Sequence, residues 1–421
     1  MAAAERIVII GAGLAGAGAA AELRERGFDG EVELIGAEPH APYIRPPLSK
    51  GYLAGEDDRA SFDVHPLAWY AEHGIRFVPG TDAVAIDRDA QLVRLAGGEA
   101  VGYDRLLLAT GATPNPLPVP GGDLAGVHLL RTVEQSDALH ASLAAGGRRV
   151  VVIGAGWIGM EVAATARTLG NEVTVLLRGG VPLASQLGAS LGADFARLHE
   201  ERGVVLHPGA TVRELVGTGG SGEGGVTGVL LEHGEVVPAD VVVAAVGASP
   251  AVGLARAAGL ETGDGVLVDA QLRTSDPRIW AAGDIASVPH PLLQAAGLPA
   301  RIRSEHWANA EKTGPHAARS MLGDLAPYDG LPYFYTDQFD LGMEYTGFPQ
   351  LAAAGDVVIR GDRAGLEFIA FWVREGRVVA GMNVNVWDVA DEVGRLVRAG
   401  FAGHVVDPAR LADPGVPLDE L

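Results

Sequence analysis

Two glycine-rich turns are the features of this chain best suited to chemistry, because each could hold a phosphate group. Residues 9–16 read IIGAGLAG, and residues 152–164 read VIGAGWIGMEVAA. Both contain G-x-G-x-x-G after an apolar run. In such a turn the first glycine permits the sharp bend, the second lets backbone approach a pyrophosphate, and the third lets the following helix pack closely. The helix N-terminus adds N–H donors and positive potential. The sequence therefore predicts two dinucleotide sites.

The elements around the first turn form one strand–helix–strand unit. The apolar residues 6–10 predict a buried strand, residues 17–26 predict a helix, and residues 31–35 predict the next strand. Glu38 follows this second strand, where an acid can hold ribose hydroxyls. A solvated carboxylate at a strand end is the alternative interpretation of Glu38.

The second turn lies in a unit of the same design. A strand is predicted over 149–153, a helix over 157–169 and a strand over 172–177. The segment GTGGSGEGG at 217–225 predicts a flexible hairpin tip. Further buried strands, each followed by a turn or an acid, are predicted within 103–113, 239–250 and 278–285.

From about residue 326 the composition changes. Aromatic residues become frequent, and alternating strands are predicted for DVVIRG, LEFIAFWV and RVVAGMNV. Residues 387–400 predict an amphipathic helix capped by Gly400. This pattern predicts a separate α+β domain.

Charge and cysteine content exclude several classes of function. The net charge of −21 disfavours nucleic acid and anionic membrane as partners. The chain has no cysteine, so thiol–disulfide chemistry and a chain-ligated iron–sulfur cluster are excluded. We predict no metal site. The apolar N-terminal stretch is interrupted by glycines, which disfavours a signal peptide or membrane span, and we expect a cytoplasmic location.

Six motifs in fixed order carry a family resemblance. They are APYIRPPLSK after Glu38, then ATGATP, GAGWIGMEVAA, AAGDIAS, EHWANA and PYFYTDQFD. Their order and spacing resemble the FAD-dependent NAD(P)H reductases that feed ferredoxins or rubredoxins, of the putidaredoxin reductase and dioxygenase-reductase type. The resemblance runs from about residue 5 to residue 400.

The resemblance implies an α/β fold with two Rossmann-like dinucleotide-binding domains, as in glutathione reductase, and a C-terminal α+β domain. It implies an FAD domain formed by residues 1–115 and 247–325. The NAD(P)H domain would comprise residues 116–246, and the C-terminal domain residues 326–421. One glycine-rich turn would then hold FAD and the other the hydride donor.

The resemblance also implies the FAD contacts. Asp284 would bond the ribityl hydroxyls, and Arg45 and Lys50 would lie along the pyrophosphate and the isoalloxazine. Arg45 as a loop residue, Asp284 as a turn former and Trp307 as ordinary core are the alternatives. The implied FAD-contacting residues are Gly11, Gly13, Ala15, Gly16, Glu38, Arg45, Lys50, Val84, Thr110, Gly111, Arg131, Gly283, Asp284, Ile302 and Trp307.

In relatives an ion pair equivalent to Lys50–Glu161 lies at the flavin edge, so these two residues are the implied catalytic pair. Alternatively, Glu161 merely favours the start of its helix. The implied nucleotide contacts are Gly154, Gly156, Ile158, Gly159, Arg178 and Gly247.

One position departs from the family pattern. NADH-using relatives usually carry an acid where Leu177 stands, and Arg178 follows it here. An arginine at this place can pair with the 2′-phosphate of NADPH. The sequence favours NADPH, while NADH, or neither nucleotide as an efficient donor, stays open. Arg178 as a plain surface charge is the alternative.

The resemblance implies hydride transfer from NADPH or NADH to FAD and single-electron delivery to a ferredoxin with a [2Fe–2S], [3Fe–4S] or [4Fe–4S] cluster. The ferredoxin would serve a cytochrome P450 or another oxygenase. We expect a monomer or weak homodimer, with Arg301, Arg303 and Lys312 as a candidate docking patch. A flavin NAD(P)H oxidase or small-molecule reductase, and a redox sensor like apoptosis-inducing factor, are the alternatives.

Overall fold

The computed structural model describes residues 5–219, 224–298, 301–352 and 355–421. The chain packs as two compact units. The first comprises residues up to 44, 59–113 and 249–333, and the second comprises residues 45–58, 114–248 and 334–421. Of the predicted flexible tip at 217–225, residues 220–223 lie outside the described residues.

The first unit is built on a five-stranded parallel sheet. Its central strands are continuous runs of Val, Ile and Leu, as expected for strands covered on both faces. The strands are β1 (Arg6–Ile10), β2 (Glu31–Ile35), β3 (Ile75–Val78), β7 (Arg105–Leu108) and β20 (Ile279–Ala281). They are ordered β20-β7-β1-β2-β3, so the predicted strands at 6–10 and 31–35 are confirmed.

Helix α1 (Leu14–Glu25) follows β1 and begins three residues before the predicted start. The helix begins directly at the turn because Gly13 is its N-cap, and the glycine at its third position does not interrupt it. Helix α9 (Trp307–Met321) packs against α1 at close range. A Cβ on Gly314 would overlap the carbonyl oxygen of Ala15, so only glycine permits this approach.

The remaining elements of the first unit are short. They comprise an antiparallel sheet of β4 (Ala83–Asp87), β5 (Leu92–Leu95) and β6 (Ala100–Gly102), a four-stranded sheet of β18 (Thr262–Gly263), β19 (Gly265–Leu267), β21 (Ala286–Pro289) and β22 (Arg301–Ile302), and helices α3 (Leu67–Glu72), α7 (Gly253–Ala257) and α8 (Pro291–Ala295).

The second unit contains a parallel sheet of the same design. Its strands are β9 (Val127–His128), β10 (Arg149–Ile153), β11 (Glu172–Leu177), β12 (Val205–Pro208) and β16 (Val241–Ala244), ordered β12-β11-β10-β16-β9. Helices α4 (Val133–Leu143), α5 (Trp157–Thr168) and α6 (Ala184–Glu201) accompany it. The predicted strands at 149–153 and 172–177 are confirmed, and α5 ends one residue before the predicted end.

An antiparallel sheet of β13 (Val212–Gly217), β14 (Val226–Leu231) and β15 (Val236–Pro238) packs with this parallel sheet in one hydrophobic core. Helix α2 (Gly51–Ala54) also belongs to the second unit. Two further short strands are β8 (Ala112–Pro114) and β17 (Ala248–Pro250).

The C-terminal region forms an antiparallel sheet ordered β23-β24-β27-β26-β25. Its elements are β23 (Tyr333–Gln338), β24 (Leu341–Gly347), α10 (Pro349–Ala352), β25 (Asp356–Asp362), β26 (Glu367–Arg374), β27 (Arg377–Val384), α11 (Ala390–Phe401) and α12 (Pro408–Ala412).

The predicted cap at Gly400 is wrong, because α11 continues through Phe401 and ends with Ala402 as its C-cap. Gly400 instead permits close packing on β27, since a Cβ there would overlap the carbonyl oxygen of Val378.

No helix among the described residues is both long enough and apolar enough to span a bilayer.

Candidate cofactor and nucleotide sites

The first glycine-rich turn has the backbone conformation of a phosphate cradle. Gly11 has φ of +109°, and a Cβ there would overlap the carbonyl oxygen of Ala109. A Cβ on Gly16 would overlap the carbonyl oxygen of Gly11. At Gly13, by contrast, no described atom lies within 4 Å of the Cβ position, and no described side chain caps α1. Open space beside an uncapped helix N-terminus suits an anionic ligand.

The second turn repeats this geometry. Gly154 also has φ of +109°, and its Cβ would overlap the carbonyl oxygen of Ala245. Gly159 packs against the carbonyl of Gly154 in the same way. Gly156 again has no described atom within 4 Å of its Cβ position and leaves α5 without a side-chain cap among the described residues.

The acid after β2 is held in place by an aromatic residue. Tyr43 donates its hydroxyl hydrogen bond to Glu38, which is partly buried. The contact orients the carboxylate in the first unit and agrees with an ordered ligand-binding role better than with a freely solvated carboxylate. Val84 has an exposed side chain, and its predicted backbone contact with adenine stays a prediction.

The predicted ribityl ligand Asp284 lies buried in the first unit, in a 3-10 turn over Gly283–Ile285. The N–H of Gly283 donates to Thr313 on α9 over 2.8 Å. Nearby, burial lowers the pKa of His306 to about 4, although the charge of Asp284 acts in the opposite direction. Trp307 begins α9 and is partly buried.

The remaining predicted FAD contacts of the first unit are backbone turns and buried side chains. The hydroxyl of Thr110 donates to the carbonyl of Ala251 over 3.2 Å. Gly111 has φ of +70°, and Ile302 is buried. Ala15 is buried on α1, directly beside Gly283.

Two predicted FAD contacts from separate chain segments meet in the second unit. The guanidinium of Arg45 donates to the carbonyl oxygen of Arg131. Arg131 directly precedes Thr132, the N-cap of α4, and a capping box between Thr132 and Gln135 holds this helix start. The capped helix start therefore holds the backbone that orients Arg45.

The predicted ion pair between Lys50 and Glu161 is present. The Lys50 Nζ lies 2.9 Å from Glu161 Oε1, and the two side chains are 17% and 6% exposed. Glu161 lies on α5, shortly after the second cradle, and Lys50 directly precedes α2. The Lys50 Nζ also lies 5.5 Å from the ring centroid of Tyr335. A buried carboxylate needs such partners, because burial without them is costly.

Two further hydrogen-bond donors to this carboxylate were not predicted from the sequence. The Ser49 hydroxyl donates to Glu161 Oε2 over 2.5 Å, and the Thr336 hydroxyl donates to Glu161 Oε1 over 2.6 Å. Both residues stand inside motifs that carry the resemblance, RPPLSK and PYFYTDQFD. The motifs mark the segments, but not the hydroxyls that turn toward Glu161.

The acidic and phenolic neighbours of the ion pair have shifted pKa values. Burial, Asp337 and Glu161 together raise the pKa of Tyr335 to about 12. Desolvation raises the pKa of Asp337, Lys50 opposes this shift, and Glu161 adds to it. The positive charge of Lys50 therefore lies close to three groups that interact with it, which are Glu161, Asp337 and the ring of Tyr335.

The end of β11 carries the predicted nucleotide selector. Leu177 is buried, whereas Arg178 is exposed, and within the described chain its side chain makes no hydrogen bond or ion pair. Ile158 is also exposed, near the start of α5. Gly247 has φ of +91°, and its carbonyl accepts the N–H of Asn115 over 2.9 Å. Arg178 is therefore available to an anionic ligand.

The candidate docking patch is weaker than its sequence indicates. Arg303 forms ion pairs with Asp264 at 2.6 Å and with Glu305 at 2.5 Å, so its charge is already balanced. Arg301 donates two hydrogen bonds to the carbonyls of Val268 and Ser287. The Lys312 Nζ lies 5.8 Å from the ring centroid of Tyr333. Arg303 is therefore already paired within the chain, and docking at Arg301, Arg303 and Lys312 stays a prediction.

The residues present fit the two groups that the resemblance implies. Gly13 and Gly156 each leave space where a pyrophosphate can approach backbone N–H groups. Arg45 and Lys50 supply cations in an otherwise acidic chain. Among the described residues, no cluster of three or more His, Asp or Glu side chains could hold a metal.

Two parallel sheets, each with a glycine cradle after its central strand, define an oxidoreductase that handles two dinucleotides. The family model of pyridine nucleotide-disulphide oxidoreductases matches residues 5–314, and the reductase C-terminal model matches residues 333–421. The chain belongs to the pyridine nucleotide-disulphide oxidoreductase family, and within it to the ferredoxin-reductase type that the motifs predicted.

Three relatives illustrate the similarity. Rhodocoxin reductase of Rhodococcus erythropolis is 41% identical over 84% of this chain and 80% of its own length. The ferredoxin–NAD(+) reductase component of the anthranilate 1,2-dioxygenase system of Burkholderia cepacia is 40% identical over 99% of this chain and 98% of its own length. The crystal structure of the covalent putidaredoxin reductase–putidaredoxin complex superimposes with a TM-score of 0.91 at 34% identity, covering 99% of this chain and 98% of that one.

Proposed function

We propose that this protein is an FAD-dependent NAD(P)H:ferredoxin oxidoreductase that serves an oxygenase. The observation that carries the proposal is the pair of cradles of the same backbone geometry at Gly13 and Gly156. Relatives that supply ferredoxins in oxygenase systems support the acceptor class. The chain has no cysteine, so the iron–sulfur cluster must be carried by a separate protein.

When bound, FAD accepts a hydride from NAD(P)H and releases electrons singly, which joins a two-electron donor to a one-electron acceptor. The chain contributes binding, orientation and electrostatics. Backbone N–H groups at the start of α1 and α5 bind pyrophosphate, and Arg45 balances charge. Lys50, held by Glu161, presents a cation, which favours a more reduced and therefore more negative flavin ring.

The nucleotide preference that we propose is NADPH. Arg178 stands exposed beside the buried Leu177, which cannot accept a hydrogen bond from a ribose hydroxyl. A 2′-phosphate would supply the negatively charged partner that the Arg178 guanidinium lacks within the described chain.

The proposed organisation keeps the FAD domain at 1–115 and 247–325, the NAD(P)H domain at 116–246 and the C-terminal domain at 326–421. The other predicted cofactor contacts, the iron–sulfur type of the ferredoxin, the cytoplasmic location and the monomeric or weakly dimeric state are likewise proposals.

Anaerobic stopped-flow mixing tests the proposal. The FAD-loaded protein is mixed with NADPH or NADH while flavin absorbance near 450 nm is followed, and a [2Fe–2S] ferredoxin is then added as the acceptor. Rapid bleaching followed by ferredoxin reduction is the expected result. Bleaching that discharges only to oxygen or quinones would replace the proposal with an oxidase, and slow bleaching with both nucleotides would point to a sensor.

A further inference from the structure

We propose that Thr336 and Gln338 are positioning residues that hold the Glu161 carboxylate, and through it Lys50, by a hydrogen-bond chain that ends at His199. The inference rests on the proposed function, because the role of Lys50 beside the flavin comes from there. It adds the C-terminal strand β23 to the machinery that controls this cation.

The chain is continuous across three elements of the second unit. His199 Nε2 lies 2.9 Å from Gln338 Oε1. Gln338 Nε2 donates to Thr336 Oγ1 over 3.2 Å, and Thr336 donates to Glu161 Oε1 over 2.6 Å. Thr336, Gln338 and His199 are fully buried, and Glu161 is 5% exposed. Solvent therefore cannot replace a missing bond.

The bonds have one consistent direction. The acceptor Gln338 Oε1 requires the proton of His199 on Nε2. The amide then donates to Thr336, whose own hydrogen is directed to the carboxylate. Every donor is thus oriented toward Glu161, and hydrogen bonds in such a chain polarise one another. The arrangement stabilises a negative charge at the place where Lys50 needs one.

His199 is suited to be the neutral end of the chain. Burial lowers its pKa to about 4, although the bond to Gln338 opposes the shift. Its Nδ1 is buried and has no hydrogen-bond partner within the described residues, which agrees with the tautomer protonated at Nε2. A neutral imidazole donates one hydrogen bond without adding a competing positive charge to the site.

Two ion pairs lie near the His199 end of the chain. Arg202, the residue directly after α6, contacts Asp340 at 2.6 Å, and Arg363 contacts Asp194 on α6 at 2.8 Å. Both join α6, which carries His199, to the C-terminal sheet. Strand β23 contacts α6 through Gln338 and α5 through Thr336, and these alternate residues turn toward the same polar interior.

The charged and titratable groups that face Glu161 are Lys50, Asp337 and Tyr335. Removing the Thr336 hydroxyl leaves the carboxylate with one donor fewer, so Glu161 and the Lys50 ammonium that it contacts are held less firmly in place. A positive charge near the ring stabilises the reduced flavin, so a displaced Lys50 would make the flavin harder to reduce.

The test compares Thr336→Val with Thr336→Ser, which restores the hydroxyl, and with Thr346→Val, a buried threonine on β24 that the structure does not connect to Glu161. The flavin midpoint potential is measured from pH 5 to pH 9 with a chemical reductant, so no nucleotide is required. We expect Thr336→Val to have a lower potential than the wild type across this range, and Thr346→Val to match the wild type.

Stopped-flow reduction gives the second readout. We expect Thr336→Val to slow flavin reduction roughly 10- to 100-fold at saturating nucleotide while KM changes little, and Thr336→Ser to restore the rate. Gln338→Met, which keeps the Thr336 bond, should act in the same direction with a smaller effect, and it replaces Thr336→Val if that variant fails to fold.

A Thr336→Val protein that matches Thr346→Val in both potential and rate would overturn the inference. Failure of the proposed function has a different signature, because the wild type itself would not be bleached by nucleotide, while the potential measurement would still decide the role of Thr336.

Discussion

Gly13 and Gly156 adopt the same backbone conformation at the start of two different helices, with φ and ψ of −82° and −172° in one and −82° and −175° in the other. Neither glycine is required by its φ angle, and neither would bring a Cβ within 4 Å of a described atom. The protein itself has no steric need for glycine there. The space beside each residue is explained by a ligand that approaches the backbone closely.

Gly13→Ala should therefore separate ligand binding from folding. We expect the apoprotein to keep its free energy of unfolding within about 1 kcal/mol, because the added methyl meets only open space. FAD affinity should fall, since the methyl occupies the pyrophosphate position. Urea unfolding of the apoprotein and FAD titration measure the two effects. Gly11→Ala is the contrasting control and should destabilise the apoprotein, owing to its positive φ and the clash with Ala109.

The equivalent change in the second cradle should leave FAD binding unchanged. For Gly156→Ala we expect an unchanged flavin content and a KM for NAD(P)H raised roughly 10-fold or more, as a pyrophosphate contact is lost. Steady-state kinetics and the flavin absorbance spectrum test this. Loss of FAD with an unchanged KM would reverse the assignment of the two cradles.

Lys50→Met tests the ion pair. The Glu161 carboxylate would remain buried without its cation, so we expect a loss of about 3 kcal/mol in the free energy of unfolding. The flavin midpoint potential should fall, because a positive charge near the ring is removed. Chemical denaturation and redox titration are the measurements. The double variant Lys50→Met/Glu161→Leu should recover stability but not the wild-type potential.

Arg178→Ala should act on one nucleotide only. We expect kcat/KM for NADPH to fall roughly 10- to 100-fold, as expected for a charge-assisted hydrogen bond to phosphate, with kcat/KM for NADH nearly unchanged. Leu177→Asp should act in the opposite sense by offering an acceptor to the ribose 2′-hydroxyl. Equal losses with both nucleotides after Arg178→Ala would make this residue a general surface charge.

His199 should make the protein sensitive to acid. Its pKa of about 4 in the folded protein lies below the ordinary value of 6.5. As pH falls through this window the unfolded chain binds the proton first, so stability is present above pH 6.5 and decreases toward pH 4. The loss is on the order of 3 kcal/mol.

Thermal unfolding from pH 4 to pH 8 tests the prediction. His199→Gln should flatten the stability profile in this window, while His404→Gln, at an exposed position, should leave it unchanged. His306, whose pKa is also lowered to about 4, contributes a similar background to every variant that retains it. A profile for His199→Gln as steep as that of the wild type would contradict the assignment.

Local patterns predicted the elements that depend on local chemistry. Strands β1, β2, β10 and β11 were predicted with their observed bounds, because buried parallel strands are continuous apolar runs flanked by glycine turns. The helix end at Gly400 was predicted wrongly. Glycine is common after helix ends, but this one is required by the backbone of β27, which no local pattern reveals.

The sequence by itself determined the two cradles, the family and the absence of thiol chemistry, because each depends on residue types at short, regular spacing. The tertiary structure decided which hydroxyls reach Glu161, that Arg303 is neutralised by Asp264 and Glu305, and that His199 is a neutral buried donor. These contacts join residues up to 175 positions apart in the chain. A hydrogen bond depends on distances of a few tenths of an ångström and on direction, and only the packing of complete elements sets both.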